Sequence, residues 1–184
     1  FNFKHLIKKY GVVVLSSNYA LYGDLSARVI DIIMQSMPEV IVYSIDEAFL
    51  DLSSLQKNFD ILELCQELAN KIKQYTGISV SIGIGASKTI AKVANHQIKQ
   101  NKSSTNVCYL PADKLDLSLA DMQLSNTWGV GKRYQAKLNK LGYYSALDLK
   151  KIPAKTIQQL FNISLAKTVA ELNGASVIEL KDLS

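Results

Sequence analysis

Two apolar runs rich in β-branched and aromatic residues meet across a pair of adjacent acids in Val40-Ile41-Val42-Tyr43-Ser44-Ile45-Asp46-Glu47-Ala48-Phe49-Leu50-Asp51-Leu52. No other stretch narrows the choice of fold as far. The first run reads as a buried strand, and Ala48 to Leu52 alternates apolar and polar as a second strand does. Asp46 and Glu47 therefore stand near the tip of a hairpin or at the edge of a sheet. Carboxylates that are half-buried there cost several kcal/mol unless a positive partner meets them. The nearest cations in sequence are Lys57 and Arg28. A divalent ion is the natural partner, and oxygen-only ligation favours Mg²⁺ or Mn²⁺. An acidic turn in plain water is the other reading of the same residues.

The flanking pattern supplies the rest of a layered fold. Phe1 to Tyr10 reads as the end of a helix stopped at Gly11, and Val12-Val13-Val14-Leu15 as a short buried strand. A helix follows from the caps Ser16, Ser17 and Asn18 to about Met37, before Pro38. After the hairpin come a helix over about 60–75, a strand Ile78 to Gly85 with period two, a helix over about 87–99 and a strand Asn106 to Leu110. This order predicts an α+β unit of the ferredoxin-like kind, a largely antiparallel sheet with helices on one face. The carboxylate pair would sit on the open face. From Leu117 the pattern changes to short helices, at about 132–141, 145–151, 154–161 and 164–173, and reads as a small all-helical second domain.

The 184 residues are 48% apolar and 20% charged, enough for a real core in one or two domains. No apolar run approaches the ~20 residues of a membrane span. The N-terminus lacks the apolar stretch and cleavage site of a signal peptide, and its opening on Phe rather than Met predicts that the start is missing. Cys65 and Cys108 read as reduced core thiols, and neither His5 nor His96 has a second ligand at metal spacing. The net charge of +5 is unevenly spread. Between Trp128 and Lys155 there are seven basic residues against the single acid Asp148, so that segment alone carries +6. A polyanionic partner for this part of the chain is compatible with that cluster.

Two further motifs bear on chemistry. Gly85-Ala86-Ser87-Lys88-Thr89 is superficially like a phosphate-binding P-loop, but Ser87 stands where glycine must precede the lysine. On the helix that it opens, Lys88, Lys92 and Lys99 share one face, which is either a solvated surface or, opposite a metal-binding pair, a cradle for a triphosphate. Trp128-Gly129-Val130-Gly131-Lys132-Arg133 resembles a helix-hairpin-helix nucleic-acid module. Its glycines allow a tight turn, and exposed N–H groups at the next helix start grip a backbone phosphate without reading bases. A helix connection that merely needs glycine is the alternative.

Taken in order, Ser16-Ser17-Asn18-Tyr19-Ala20-Leu21-Tyr22, Tyr43-Ser44-Ile45-Asp46-Glu47-Ala48-Phe49, Lys88-Thr89-Ile90-Ala91-Lys92-Val93-Ala94-Asn95-His96 with Lys99, and Trp128-Gly129-Val130-Gly131-Lys132 resemble the Y-family translesion DNA polymerases, in their UmuC-like branch. The resemblance covers nearly the whole chain. It implies that residues 1–12 end the fingers, 13–115 form the catalytic palm and 116–184 the thumb that holds duplex DNA. It also implies two-metal nucleotidyl transfer with Mg²⁺ (or Mn²⁺) on Asp46 and Glu47. Lys99, Lys92 and Ser44 would lie against the incoming deoxynucleoside triphosphate. Lys88 would lie near the primer, while Gly129, Gly131, Lys132 and Arg133 would hold the DNA backbone. Further implied are a role in SOS mutagenesis and a cytoplasmic, nucleoid-associated location in a bacterium. Primer–template DNA, a UmuD′-like subunit, the RecA filament and the sliding clamp are implied as partners.

The chain also departs from that family. Its members open with a strand carrying another catalytic Asp, followed by an aromatic steric gate, and they carry a little finger after the thumb. None of these stands in this sequence, and the polypeptide alone is therefore expected to extend primers little or not at all. A truncated or catalytically dead paralogue serving as a DNA-binding or partner-binding module is the alternative. A nucleotide cyclase, with a similar sheet and carboxylates, has no use for the basic glycine hairpin.

Overall fold

The computed structural model describes residues 3–101 and 105–180. The chain runs through helix α1 (Lys4–Tyr10), helix α2 (Tyr19–Ser36), strands β1 (Val40–Ser44) and β2 (Glu47–Leu50), helix α3 (Ile61–Thr76), strand β3 (Ile82–Ile84), helix α4 (Lys88–Asn101) and strand β4 (Val107–Tyr109). Helices α5 (Ala112–Ala120), α6 (Lys132–Lys140), α7 (Ala146–Lys151), α8 (Ala154–Leu160) and α9 (Ile163–Leu172) follow, with a 3-10 turn at Leu124–Asn126 before α6. Local chemistry explains most boundaries. Asn18, Asp60, Ser145 and Asn162 cap α2, α3, α7 and α9 through their side chains. Ser145 and Asp148 complete a reciprocal capping box. Of the first expected helix, Phe1 and Asn2 lie outside the described residues.

The α+β reading holds, with three corrections. First, the strands form two separate two-stranded ladders, and β3–β4 is parallel. Adjacent strands joined by a single crossover helix run the same way, and α4 is that helix. Second, helices cover both faces of this ladder. Ile82 and Ile84 point to Cys65 and Ala69 of α3, whereas Gly83 faces the backbone of α4. Successive strand residues point to opposite faces, so α3 and α4 lie on opposite sides. Third, Val12 to Leu15 is neither a strand nor buried, and these four residues are 52–84% exposed. A β-branched run becomes a strand only beside a ladder partner, and none of the described strands pairs with it.

The core is continuous across the expected boundary at 115/116. Ile90, Val93 and Ala94 of α4 pack with Leu115 and Leu119 of α5, Ala146 of α7 and Leu172 of α9. A second cluster (Leu124, Leu138, Leu149, Ile157, Leu165, Val169) fills the helical half, and a third joins Ile33 and Met37 to Leu68 and Ile72 of α3 beneath the hairpin. Both cysteines are unpaired thiols. Burial pushes Cys65 up to about 11 and raises Cys108 as well, so neither is a ready nucleophile. No helix among the described residues is long and apolar enough to cross a membrane.

Candidate active site

Strands β1 and β2 pair antiparallel as Val40↔Leu50, Ile41↔Phe49 and Val42↔Ala48, and the register then slips before Ser44↔Glu47. Such an irregularity re-aims the side chains beside it. Ile45 and Asp46 make the turn. Ser44 Oγ donates to Asp46 Oδ1 at 2.6 Å and accepts from the Asp46 amide at 3.3 Å, which fixes the exposed carboxylate at the tip. Glu47, one residue later, is half-buried.

Both acids line a cleft of about 1240 Å³ that opens between the two ladders. Its inner wall is apolar, with Val29 and Ile33 of α2, Leu68 and Ile72 of α3, and Val80 beside β3. Across the opening stand Lys88, Lys92 and Lys99 of α4, so the structure brings the carboxylate pair and the whole lysine stripe to one cavity. The positive partner that Glu47 lacks in sequence is Lys92, whose Nζ donates to Glu47 Oε1 at 2.8 Å. Lys92 is itself enclosed by the rings of Tyr43, Phe49 and Trp128. Lys99 is exposed at the end of α4. Hydrogen bonds from Ser53, side chain and then backbone, hold the Asp51 carboxyl below the usual range, and the charge of Lys88 adds to this. Burial and the neighbouring Lys99 lower His96, which disfavours its charged form.

The donor set suits a small hard cation. Two carboxylates and the Ser44 hydroxyl offer only oxygen, and Mg²⁺ is ordinarily held by one or two carboxylates with waters and substrate phosphates completing its shell. No cluster of three or more His, Cys, Asp or Glu arranged for a metal occurs among the described residues. Among the described residues, the ligation on offer is of this open, two-carboxylate kind.

The basic hairpin lies apart from the cleft lining. Gly129 adopts φ +84°, a left-handed conformation that side chains resist, and the Val130 amide donates to the Thr127 carbonyl to close the turn. Gly131, at the N-cap of α6, has no side chain to offer the first-turn amides, which lie beside the exposed Lys132 and Arg133. A Cβ on Gly131 would meet nothing within 4 Å, so a phosphate can approach the backbone. The element before the hairpin is one 3-10 turn rather than a full helix. Two of the seven basic residues are engaged elsewhere, Lys150 with Asp116 and Lys137 with the Leu160 carbonyl and the Phe161 ring.

Two groups escaped sequence reasoning. Trp128 was legible as part of the hairpin but not as a wall around Lys92. Glu171 gave no signal at all, yet it is fully buried and accepts from the Thr89 amide and hydroxyl, both at 2.8 Å. It thereby ties α9 to the start of the lysine-bearing helix.

Residues 1–96 match the model of the impB/mucB/samB family. The chain is 38% identical over 186 residues to Protein UmuC of Salmonella typhimurium, an alignment covering 100% of this chain and 44% of that protein. It is 38% identical over 172 residues to Protein ImpB of Salmonella typhimurium, covering 92% and 41%. Among solved structures, a DinB family error prone DNA polymerase from Sulfolobus solfataricus superposes with a TM-score of 0.72 at 21% identity, over 92% of this chain and 51% of the other. The chain thus spans less than half the length of these curated relatives.

Proposed function

The chain belongs to the impB/mucB/samB family, and on that premise we propose that it is the palm (13–115) and thumb (116–184) of an error-prone, translesion DNA polymerase, preceded by the end of the fingers (1–12). The observation that carries this reading is the single cleft lined by Asp46 and Glu47 on one side and Lys88, Lys92 and Lys99 on the other. Asp46 and Glu47 would hold Mg²⁺, which when bound sharpens the primer 3′-hydroxyl and neutralises the triphosphate. Ser44 orients Asp46 through its 2.6 Å hydrogen bond. Lys99, exposed at the cleft, would meet the triphosphate, with Lys88 nearer the primer. The apolar inner wall between the ladders suits a further strand, the element in which longer family members carry their other catalytic Asp.

The test is a chimaera in which this chain replaces the matching segment of the UmuC relative. Mg²⁺-dependent primer extension is expected, falling on the order of a thousandfold in Asp46→Ala, because a metal contributes several kcal/mol of transition-state stabilisation. Extension indifferent to that substitution would overturn the assignment. A soluble chimaera that binds DNA without regard to Mg²⁺ or Asp46, and never extends it, would favour a binding module instead.

Gly129, Gly131, Lys132 and Arg133 would hold the duplex backbone, with the amides of the uncapped α6 start adding to the grip. Lys132→Glu in this chain is therefore expected to weaken binding of all duplex sequences alike. The slope of log K against log salt should lose about one unit, measured by anisotropy from 50 to about 200 mM salt. An unchanged slope would rule out a phosphate contact at this lysine.

A further inference from the structure

Lys92 is held more firmly than an ordinary lysine. Its ammonium stands 5.1 Å from the centre of the Tyr43 ring, 5.6 Å from Phe49 and 5.0 Å from Trp128. The rings also pack on one another, with all three centroid pairs 5.7 Å apart, Trp128 stacked on Phe49 and Tyr43 edge-on to both. The fourth side of the cage is Glu47, at 2.8 Å. The Lys92 side chain is 22% exposed and that of Glu47 40%, so water screens this arrangement only in part. Each cation–π contact of a partly desolvated ammonium strengthens its localisation. Three of the four walls come from the β1–β2 hairpin. The remaining wall, Trp128, comes from the helical half and immediately precedes Gly129.

We propose that Trp128 is a positioning residue for the carboxylate pair: by closing the cage it seats the Lys92 ammonium on Glu47, where it serves as a built-in counter-ion that an entering divalent cation must displace. The proposal rests on reading Asp46 and Glu47 as a divalent-cation site. Its consequence is that a residue of the DNA-holding hairpin sets the cation affinity of the cleft. A loosened cage leaves Lys92 free to swing away and lowers the competition for Glu47. Removal of the ammonium abolishes that competition.

The experiment is a Mn²⁺ titration of this 184-residue chain, with free Mn²⁺ read by electron paramagnetic resonance, in a double-mutant cycle. Lys92→Met is expected to tighten Mn²⁺ about tenfold, since a unit charge beside the site no longer opposes the ion. Trp128→Leu should tighten it severalfold in the wild-type background and leave it unchanged in the Lys92→Met background. Trp128→Phe, which keeps a ring, should retain the wild-type affinity, and Tyr43→Leu repeats the test from the opposite wall if Trp128→Leu fails to fold. Equal effects of Trp128→Leu in both backgrounds, or none in either, would overturn the proposal while leaving the metal site intact. Absence of any Mn²⁺ binding sensitive to Glu47→Gln would overturn the metal-site reading and this proposal with it. A metal-free readout separates the two failures. Trp128 is the only tryptophan, and its emission should change in Lys92→Met; an unchanged spectrum refutes the cage whatever the metal does.

Discussion

Glu171→Ala is expected to lower the unfolding free energy by about 3–5 kcal/mol. The carboxylate is 0% exposed, and among the described residues no ion pair reaches it. Its two oxygens instead divide four donors. Oε2 accepts from the Thr89 amide and hydroxyl, and Oε1 accepts from the amides of Val177 at 3.3 Å and Ile178 at 3.0 Å. Thr89 is the second residue of α4, so the negative charge also meets the positive end of that helix dipole. Ser87, which caps the Ile90 amide, donates its hydroxyl to the Glu171 carbonyl at 3.0 Å. Alanine would strand the buried amide and hydroxyl of Thr89 on α4 and release the part-buried amides of Val177 and Ile178, and each unsatisfied buried group costs about 1–3 kcal/mol. A domain of this size holds only about 5–15 kcal/mol in total, so a large part of the margin would go. Glu171→Gln keeps one acceptor but turns an NH₂ group on the other donors, and should fall between wild type and alanine. The check is urea unfolding followed by circular dichroism with the slope held constant. A loss below about 1 kcal/mol for Glu171→Ala would show that the network is not what fastens α9 to α4.

Much of the fold is visible in the sequence because it is local. The hairpin was legible from its β-branched runs and its acidic turn, and the expected strand pair lies within two residues of Val40–Ser44 and Glu47–Leu50. The helices over 19–36, 61–76 and 88–101 announce themselves by apolar spacing and by Asn18, Asp60 and Ser87 at their starts. Helix α5 was missed as an element of its own. It begins at Ala112 behind Pro111, before the composition changes, and packs against α4 and α7. Contacts that cross long stretches of chain left no trace. The Lys92–Glu47 pair spans 45 positions and the Thr89–Glu171 pair spans 82. Neither follows from spacing, which reports a face of a helix but not what that face meets. The misreading of Val12 to Leu15 has the same origin: those residues have the composition of a strand, but strand formation is settled by a neighbour elsewhere in the chain. The site divides likewise. Its carboxylates and lysines could be named one motif at a time, whereas their convergence on one cleft, and the aromatic wall from Trp128, belong to tertiary structure.

That convergence depends on how closely α4 lies against β3, and Gly83 sets the distance. A Cβ added there would meet the Ala91 carbonyl oxygen at 2.1 Å, the Asn95 amide nitrogen at 2.4 Å and Asn95 Cβ at 2.9 Å. Two of these three atoms are helix backbone, which cannot rotate out of the way, so relief requires α4 as a whole to retreat from the ladder. Helix α4 also supplies Ile90, Val93 and Ala94 to the main core and Lys92 to Glu47, so retreat loosens both together. Gly83→Ala is therefore expected to cost about 3 kcal/mol or more, at the upper end of overpacking in a well-packed interior. In the fraction that remains folded, the Lys92 ammonium should withdraw from its cage, and the emission of Trp128 should move toward that of Lys92→Met. Gly23→Ala provides the opposite sign. Gly23 lies within α2, and a Cβ there meets nothing within 4 Å. Alanine should stabilise that helix by about 0.5–1 kcal/mol through its better propensity. If Gly83→Ala and Gly23→Ala move the denaturation midpoint in the same direction, close helix–strand approach is not what glycine provides at position 83. If they diverge, the seating of α4 on β3 is what holds the lysine stripe opposite the carboxylates.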